Sequence, residues 1–334
     1  MLLTILFLAV SQHVSQVEFA YQSATAKKVQ LAGDFDAWSS TMDMTRVGDK
    51  WVKSVDLPDN CRIEYKLVVD GNWITDPNNP RHMSNGLGGE NSIWQGPRYK
   101  ISCHDQPPKT PLIRTELRVG GRTIVVFAPS KSDGLPVLMY GDGPTYENPG
   151  KIQVIVENLV EARKIRPVVL ALIPPIDRMK EYGPEWKAYG TYALDEVLPE
   201  VRKATGASTK PEDVFMGGSS MGGLISLRLA EEYPDKLAGG IHSQSAAIQW
   251  TSLNLHNEDV STVSKLNRIA PTTRISLDWG TFESSLTDAN VQLAKTLTTL
   301  KRPFSSKVTP EGHNWTAWRN RMEAGLIYLL GTAR

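Results

Sequence analysis

The segment Gly218-Ser219-Ser220-Met221-Gly222-Gly223 constrains this chain more than any other part of its sequence. It follows a short strand-like run, 213–216, and precedes an amphipathic helical run, 224–230. A Gly-x-Ser-x-Gly sequence between a strand and a helix predicts a sharp, strained turn, because glycines avoid the clashes that side chains would make there. Such a turn raises the serine hydroxyl above the sheet and directs the first amides of the helix toward it. Ser220 is therefore the candidate nucleophile.

A serine nucleophile needs a base, and a third group must hold that base in place. The chain has 6 histidines, and in strand–elbow–helix folds the acid and then the histidine follow the serine along the chain. His313 is the best placed, in the loop 310–315 between a strand-like run and the last helix. His242 follows a strand-like run too closely, which is typical of a core residue, and His256 lies in a polar loop. We therefore predict that His313 is the base.

The acid is predicted from the strand-like run 274–279 and from the loop that leaves it. Glu283 lies in that loop and is favoured, since a carboxylate there would orient the imidazole and stabilise its charged form. Asp278 is the rival, and Asp288 is the third candidate. The alternative for Glu283 is a structural role at the start of the next helix, where the helix dipole favours a carboxylate.

Further short motifs accompany the serine segment. They are Tyr140-Gly141-Asp142-Gly143, 177–182, 217–223, 243–245, 280–283 and 311–319. Over about 110–334 they resemble the enterochelin esterase-like enzymes and the related feruloyl esterases of carbohydrate esterase family one. The resemblance implies an α/β-hydrolase domain, with a mainly parallel sheet flanked by helices. It also implies a serine esterase in which Ser220, Glu283 and His313 are nucleophile, acid and base.

The same resemblance places one oxyanion-hole amide on Met221, the residue after the nucleophile. A second amide would come from the loop after 135–140, on Gly143 or Thr145, because Pro144 between them has no N–H group. One such donor typically contributes a factor of ~10²–10³ in rate. The identity of the second donor therefore matters for activity.

Residues that would contact the substrate are predicted with an alternative beside each. Arg178 and Glu181 would contact an acidic or catechol-bearing substrate, or else pair with each other in a structural loop. Trp250, Trp279 and Trp315 are candidates to line an aromatic acyl pocket, and burial in the interior is the alternative for each.

The first hundred residues carry a different pattern, in which short strand-like runs alternate with turns and no helical period appears. The runs are 17–21, 28–32, 51–55 and 63–69, and Asp70-Gly71 before 72–74 is a strong hairpin signal. Strands at this spacing predict a small immunoglobulin-like β-sandwich in front of the hydrolase domain.

Short motifs of this region lie at 33–38, 65–73, 76–77 and 89–91. They resemble family-48 carbohydrate-binding modules and the glycogen-binding domain of AMP-activated kinase β-subunits. By that resemblance Trp38 and Trp73 would stack on sugar rings, because flat aromatic faces complement the apolar faces of pyranoses. Lys66 and Asn91 would hydrogen-bond sugar hydroxyls, and Leu87 would support the ring edge. The alternative is that the tryptophans only fill the interior of the sandwich.

These features divide the chain into four predicted parts. They are a signal peptide (1–16), a carbohydrate-binding-like β-sandwich (17–98), a polar, Pro-rich linker (99–112) and the esterase domain (113–334). The apolar run 2–10 is far shorter than the ~20 residues of a membrane span, so we expect secretion or a periplasmic location and no membrane span. The alternative is an element that packs on the β-sandwich. In an exported protein Cys61 and Cys103 would be able to form a disulfide.

Composition excludes several classes of protein. The net charge is +1, with scattered Lys and Arg, which argues against a nucleic-acid partner. No Cys/His spacing is typical of a metal site and no Gly-rich loop is typical of phosphate binding, so we predict that neither metal nor cofactor is needed.

The resulting hypothesis is a secreted serine esterase that acts through an acyl-enzyme on feruloyl or aryl esters attached to polysaccharide. The first alternative is an enterochelin (siderophore trilactone) esterase or a generalist arylesterase. The second is a glycan-binding protein with an inactive hydrolase domain. The predicted partners are thus a small-molecule or polysaccharide ester and a glycan on the N-terminal module.

Overall fold

The computed structural model describes residues 13–85, 88–101, 106–248 and 266–332. The chain separates into two compact units. The sandwich unit comprises the first hundred residues together with 281–283 and 309–313. The α/β unit comprises 101–280, 284–308 and 314–334. Two short segments from the second half of the chain therefore pack with the N-terminal unit.

The described part of the sandwich unit forms two antiparallel sheets. Its strands are β1 (Val14–Gln22), β2 (Val29–Gly33), β3 (Met42–Asp43), β4 (Thr45–Val47), β5 (Lys50–Pro58), β6 (Arg62–Val69), β7 (Asn72–Ile74), β8 (His82–Ser84) and β9 (Glu90–Gln95). One sheet has the order β1-β5-β4, and the other has the order β3-β2-β6-β9-β8, with β7 also paired to β6. The predicted β-sandwich is confirmed.

Alternation along β6 shows how the sandwich encloses its core. Ile63, Tyr65 and Leu67 are two residues apart, so they project to one face of the sheet, and all three are buried in the apolar cluster of this unit. The turn after β6 has positive φ at Asp70 (48°) and Gly71 (86°), as the predicted hairpin requires.

The start of β1 overlaps the range predicted as a signal peptide. Val14 already pairs with Pro58 across the β1–β5 ladder. The end of the predicted signal peptide at residue 16 therefore falls inside a paired strand. Residues 1–12 lie outside the described residues, so the signal peptide and its extent stay a prediction.

The α/β unit is built on an eight-stranded sheet within the described residues, in the order β10-β11-β13-β12-β14-β15-β16-β17. The strands are β10 (Ile113–Val119), β11 (Arg122–Ala128), β12 (Val137–Tyr140), β13 (Val169–Leu172), β14 (Val214–Ser219), β15 (Gly240–Gln244), β16 (Arg274–Gly280) and β17 (Phe304–Thr309). β11 is antiparallel to both of its neighbours. The five strands that follow it in the sheet, β13, β12, β14, β15 and β16, are parallel to one another. This arrangement agrees with the mainly parallel sheet that the resemblance implies.

Helices cover both faces of this sheet. They are α1 (Gly143–Glu147), α2 (Ile152–Glu161), α3 (Arg178–Glu181), α4 (Trp186–Thr191), α5 (Leu198–Thr205), α6 (Met221–Glu232), α7 (Ser285–Thr299) and α8 (Trp315–Leu330). A π-helical stretch, Tyr192–Val197, joins α4 to α5.

The strands are buried on both sides, as parallel sheets between helices usually are. In β12, Val137 and Met139 belong to the apolar cluster that holds α5, α6 and α7, while Leu138 and Tyr140 belong to the cluster that holds α2 and α8. The α/β-hydrolase fold is therefore confirmed. Of the helices that the structure describes, none combines the length and the apolar character needed to cross a bilayer.

Candidate active site

Ser220 lies at the sharp turn between β14 and α6. Its φ of 58° and ψ of −120° are values that a residue with a side chain rarely adopts. Gly218 makes the turn possible, because a Cβ there would lie 2.4 Å from the carbonyl carbon and oxygen of Gly222. The strained serine predicted from the sequence is therefore present at this position.

Hydrogen bonds fix the turn to the neighbouring strand. The N–H of Ser220 donates to the carbonyl of Gln244, the last residue of β15, at 2.9 Å. The carbonyl of Ser220 accepts the N–H of Ala247 at 3.1 Å. Bonds on both sides of the serine offset part of the cost of its conformation.

The oxyanion-hole candidates differ in how their amides are used. Met221 opens α6, and the N–H groups of a first helical turn have no acceptor within the helix. The N–H of Gly143 donates to the carbonyl of Ile173 at 3.3 Å, and the N–H of Thr145 donates to that of Asp142 at 2.9 Å. Both candidates for the second donor thus already have a backbone acceptor, and the bond from Gly143 is the longer one.

Arg178 forms a two-point ion pair beside the serine turn. Its Nε and Nη2 donate to the two carboxylate oxygens of Asp142 at 2.8 and 2.9 Å. Nη2 also lies 3.4 Å from the carbonyl oxygen of Ser219, next to the nucleophile candidate. Glu181 instead pairs with Arg122 at 2.7 Å. The predicted alternative, a pair between Arg178 and Glu181, is wrong because each side chain has another partner within reach.

The role of Asp142 is not predicted from the sequence. The sequence indicates it only as an aspartate two residues after the buried strand β12, within the motif Tyr140-Gly141-Asp142-Gly143. Its φ of 52° and its N–H, which donates to the Tyr182 hydroxyl at 2.8 Å, hold it in a fixed turn.

Asp278, the rival acid, is buried in a polar network of the α/β unit, with 1% of its surface exposed. Its Oδ1 accepts the Nε of Arg321 at 2.8 Å. Its Oδ2 lies 2.9 Å from Nε2 of His242 and accepts the side-chain amide of Gln244 at 3.0 Å. Both oxygens of Asp278 are therefore engaged in binding β15 and α8 to β16.

Tyr140 and the remaining candidates for acid and base, Asp288 and His256, complete the description of this region. Tyr140 extends the Asp278 network, since its hydroxyl lies 2.5 Å from Nδ1 of His242. Burial raises the pKa of Tyr140 well above its ordinary value, so the phenol stays neutral. Asp288 is exposed in the first turn of α7, and His256 lies outside the described residues.

Glu283 and His313 lie together in the two late segments of the sandwich unit. Nδ1 of His313 is 3.5 Å from Oε2 of Glu283, whose side chain is fully buried, while 32% of the His313 side chain is exposed. The segments are joined by a backbone bond in which the N–H of Thr281 donates to the carbonyl of Thr309 at 2.9 Å. A carboxylate beside Nδ1 of a histidine is the arrangement of the acid and the base in a catalytic triad.

The tryptophans proposed for an acyl pocket differ in burial. Trp279 is buried in the apolar core of the α/β unit. Trp315 is half-buried and packs edge-to-face on Tyr146 and Trp318, with ring centroids 5.1 and 4.9 Å apart. Trp250 lies outside the described residues. Trp315 is thus the candidate of the two described ones that retains accessible surface.

Two of the glycan candidates form an aromatic pair on the sandwich unit. The rings of Trp38 and Trp73 have centroids 6.5 Å apart and planes 27° from parallel. Trp73 is 51% exposed, and Nε1 of half-buried Trp38 donates to Asp34 at 2.8 Å. This pair is a surface on which a flat ring can stack.

The remaining glycan candidates are less accessible. Asn91 is buried, and its side-chain amide donates to Glu64 at 2.9 Å. Lys66 is half-buried on β6, opposite Ala32. Leu87 lies outside the described residues. Cys61 is buried in the sandwich core, whereas Cys103 is outside the described residues, so their disulfide stays a prediction.

The described ranges contain no group of three or more His, Cys, Asp or Glu side chains arranged to hold a metal ion.

Comparison with known proteins identifies two families. Residues 119–329 match the family described as "Putative esterase", and residues 15–93 match "Glycogen recognition site of AMP-activated protein kinase". The iron(III) enterobactin esterase of Escherichia coli O6:H1 is 24% identical over 349 residues, which cover 95% of this chain and 85% of that protein.

Solved structures agree on the fold. The ferric enterobactin esterase of Salmonella typhimurium has a TM-score of 0.78 at 20% identity, covering 95% of this chain and 93% of that one. A ferulic acid esterase has a TM-score of 0.55 at 19% identity, covering 66% of this chain and 97% of that one. Because the esterase family matches more than half of its length, this chain belongs to that family and is an esterase with an N-terminal region of the glycogen-recognition type.

Proposed function

We propose that this esterase works through a Ser220–His313–Glu283 triad and an acyl-enzyme. Ser220 attacks the ester carbonyl while Nε2 of His313 takes the hydroxyl proton. The tetrahedral intermediate collapses, and the departing alcohol receives that proton from His313. A water molecule, deprotonated by the same imidazole, then attacks the acyl-enzyme and releases the acid. Glu283 orients the imidazole and stabilises its charged form.

The contact between Glu283 and His313, at 3.5 Å, is the observation that carries this proposal. The order of the strands supports it as well. β14, β15 and β16 are parallel, so the residues that follow β14 and β16 leave the same edge of the sheet. Ser220 follows β14 directly, and Glu283 follows the end of β16 by three residues.

For the oxyanion hole we propose Met221 with Gly143. Met221 opens α6, where a first-turn amide and the helix dipole both favour a negative oxygen. Gly143 is preferred to Thr145 because its present bond, at 3.3 Å, is longer and therefore weaker. The ion pair of Arg178 with Asp142 borders the same turn and supports its conformation.

For the substrate, we propose an ester with an aromatic acyl part, and a catechol siderophore trilactone is the favoured class. Enterobactin esterases match this chain over both units, with 95% of it covered. The ferulic acid esterase matches 66% of this chain. The second candidate is a feruloyl ester on polysaccharide, which the glycogen-recognition match and the Trp38–Trp73 pair favour.

Turnover of a p-nitrophenyl ester by the parent, Ser220→Ala and Ser219→Ala tests the mechanism. Loss of such a serine typically lowers kcat by ~10⁶, so Ser220→Ala should lose nearly all activity. Ser219→Ala, which removes the neighbouring hydroxyl, should retain turnover of the parental order. Parental turnover by Ser220→Ala would exclude the mechanism. The ratio of kcat/KM for ferric enterobactin and methyl ferulate then decides between the substrate classes.

We also propose export, on the basis of the apolar run 2–10. Fractionation of expressing cells, with N-terminal sequencing of the purified protein, tests it. A processed protein outside the cytoplasm is expected, and an unprocessed protein confined to the cytoplasm would contradict export.

A further inference from the structure

The segment that carries His313 rests on one side chain of the sandwich unit. A Cβ at Gly312 would lie 2.2 Å from Cγ and 2.3 Å from Oδ1 of Asp34. Such distances are too short for any real contact. The backbone of Gly312 is therefore seated directly on the Asp34 carboxylate, one residue before the imidazole.

Asp34 is itself firmly held. It opens a 3₁₀ turn after β2 and is 2% exposed. Its Oδ1 accepts the indole N–H of Trp38, and its Oδ2 accepts the backbone N–H of Glu64, both at 2.8 Å. Moving a buried carboxylate away from two donors would leave those donors without acceptors, which costs about 1–3 kcal/mol for each buried group. The seat under Gly312 is thus a rigid one.

The other side of the same segment is fixed through Glu311, which is also buried. Its Oε1 accepts the hydroxyl of Tyr99, and its Oε2 accepts that of Thr309, both at 2.7 Å. Its carbonyl accepts the N–H of Phe282 at 3.2 Å, which ties it to the segment of Glu283.

Phe282 connects this loop pair to the interior of the sandwich, because its ring packs against the apolar core of that unit. The acid and the base of the proposed triad therefore share one support, made of Asp34, Tyr99 and the sandwich core.

We propose that Asp34 is a positioning residue for His313, because its carboxylate seats Gly312 and so sets the path of the loop that presents the imidazole. This inference rests on the proposed triad. It gives the N-terminal module a role in the chemical step, separate from any glycan that it binds. Asp34 should consequently affect kcat on a small ester much more than KM.

The contact between Gly312 and Asp34 is tested by a substitution that creates a steric clash and by a second substitution that removes it. Gly312 has no left-handed φ, so Gly312→Ala is allowed by the backbone and acts through the clash with Asp34. We expect kcat on a p-nitrophenyl ester to fall at least tenfold, with KM within about twofold, since a misplacement of ~1 Å can cost 10²-fold. Asp34→Ala in the same chain removes the clashing carboxylate, so the double variant should be more active than Gly312→Ala alone.

The matched control is Gly89→Ala in the same unit. A Cβ there would meet Asn85 at 3.4 Å, an ordinary contact, and parental kcat is expected. The rate of reaction with a fluorophosphonate should follow kcat across the variants, because it reports activation of the serine. Far-UV circular dichroism checks that each variant is folded.

A second variant covers the case in which Gly312→Ala does not fold. Asp34→Asn keeps the volume of the side chain. In an assay above pH 7, where the parent carboxyl is ionised, it turns one accepting oxygen into a donor that faces an N–H group. We expect a severalfold fall in kcat with KM unchanged.

The two proposals fail in different ways. Parental activity of Ser220→Ala would overturn the triad, whatever the other variants do. If Ser220→Ala is inactive while Gly312→Ala and Asp34→Asn both keep the parental kcat, only the proposal that Asp34 positions His313 is overturned. A double variant that is less active than Gly312→Ala would also overturn it, because the two changes would then act independently.

Discussion

Replacing Asp34 by asparagine should change how the stability of this protein depends on pH. Burial, and then the charge of Glu64, raise the pKa of Asp34 from 3.8 to about 7, while hydrogen bonds from Glu64 and Trp38 and the charge of Arg62 oppose the rise. Burial, and then the charges of Glu311 and Asp34, raise the pKa of the Cys61 thiol to about 12.

The sign follows from proton binding. Between pH 3.8 and about 7 the folded chain holds a proton on Asp34 that the unfolded chain has released, so stability falls as pH rises through this window. One unit of pKa difference corresponds to ~1.4 kcal/mol, which gives an upper bound of ~4 kcal/mol for the window. Asparagine does not titrate. The free energy of unfolding of Asp34→Asn should therefore rise relative to the parent from acid to neutral pH.

Urea unfolding followed by circular dichroism at four pH values across this window measures the difference. Asp36→Asn, in the same 3₁₀ turn but half-exposed, controls for an amide at this place. Two results would refute this reasoning. The stability curves of the parent and Asp34→Asn could run parallel, or the free energy of unfolding of the variant could fall relative to the parent from acid to neutral pH.

Three further changes test the site. Glu283→Gln should lower kcat by roughly 10²–10⁴, because the imidazole loses the carboxylate that orients and charges it, while Asp288→Asn should leave kcat unchanged; equal losses in both would contradict the choice of acid. Gly218→Ala should lose activity and about 1–3 kcal/mol of stability, measured by urea unfolding, because its Cβ meets the backbone of Gly222 at 2.4 Å; a stable, active variant would contradict the elbow geometry. Trp73→Ala should weaken retention on glycogen without changing p-nitrophenyl ester turnover, and unchanged retention would leave the aromatic pair without a role.

Local patterns made most of the α/β unit predictable. Runs of apolar residues between glycine and proline turns predict β12 to β16. The helical spacing of apolar residues in α2 likewise predicts that helix from local sequence alone. The strained serine was predictable for the same reason, since six consecutive residues specify it. By contrast, β3 has two residues and β4 three, too few for any period to appear.

What the sequence left open depends on contacts between distant residues. Asp278 and Glu283 are both carboxylates near the end of β16, so the sequence alone does not show which of them is the acid of the triad. The contacts that each makes in the fold distinguish them. Arg321 lies 43 residues from Asp278 and His313 lies 30 from Glu283. The same holds for Asp34, whose partner Gly312 lies far along the chain. Short motifs indicate which candidate functional side chains are present, and packing between distant residues determines which of them are in contact.

The most direct measurement is mass spectrometry of the peptide that holds Ser220 after reaction with a fluorophosphonate. We predict a single adduct, on the Ser220 hydroxyl, that forms quickly in the parent and at least tenfold more slowly in His313→Ala. An adduct on any other side chain, or equal rates in the two proteins, would contradict it.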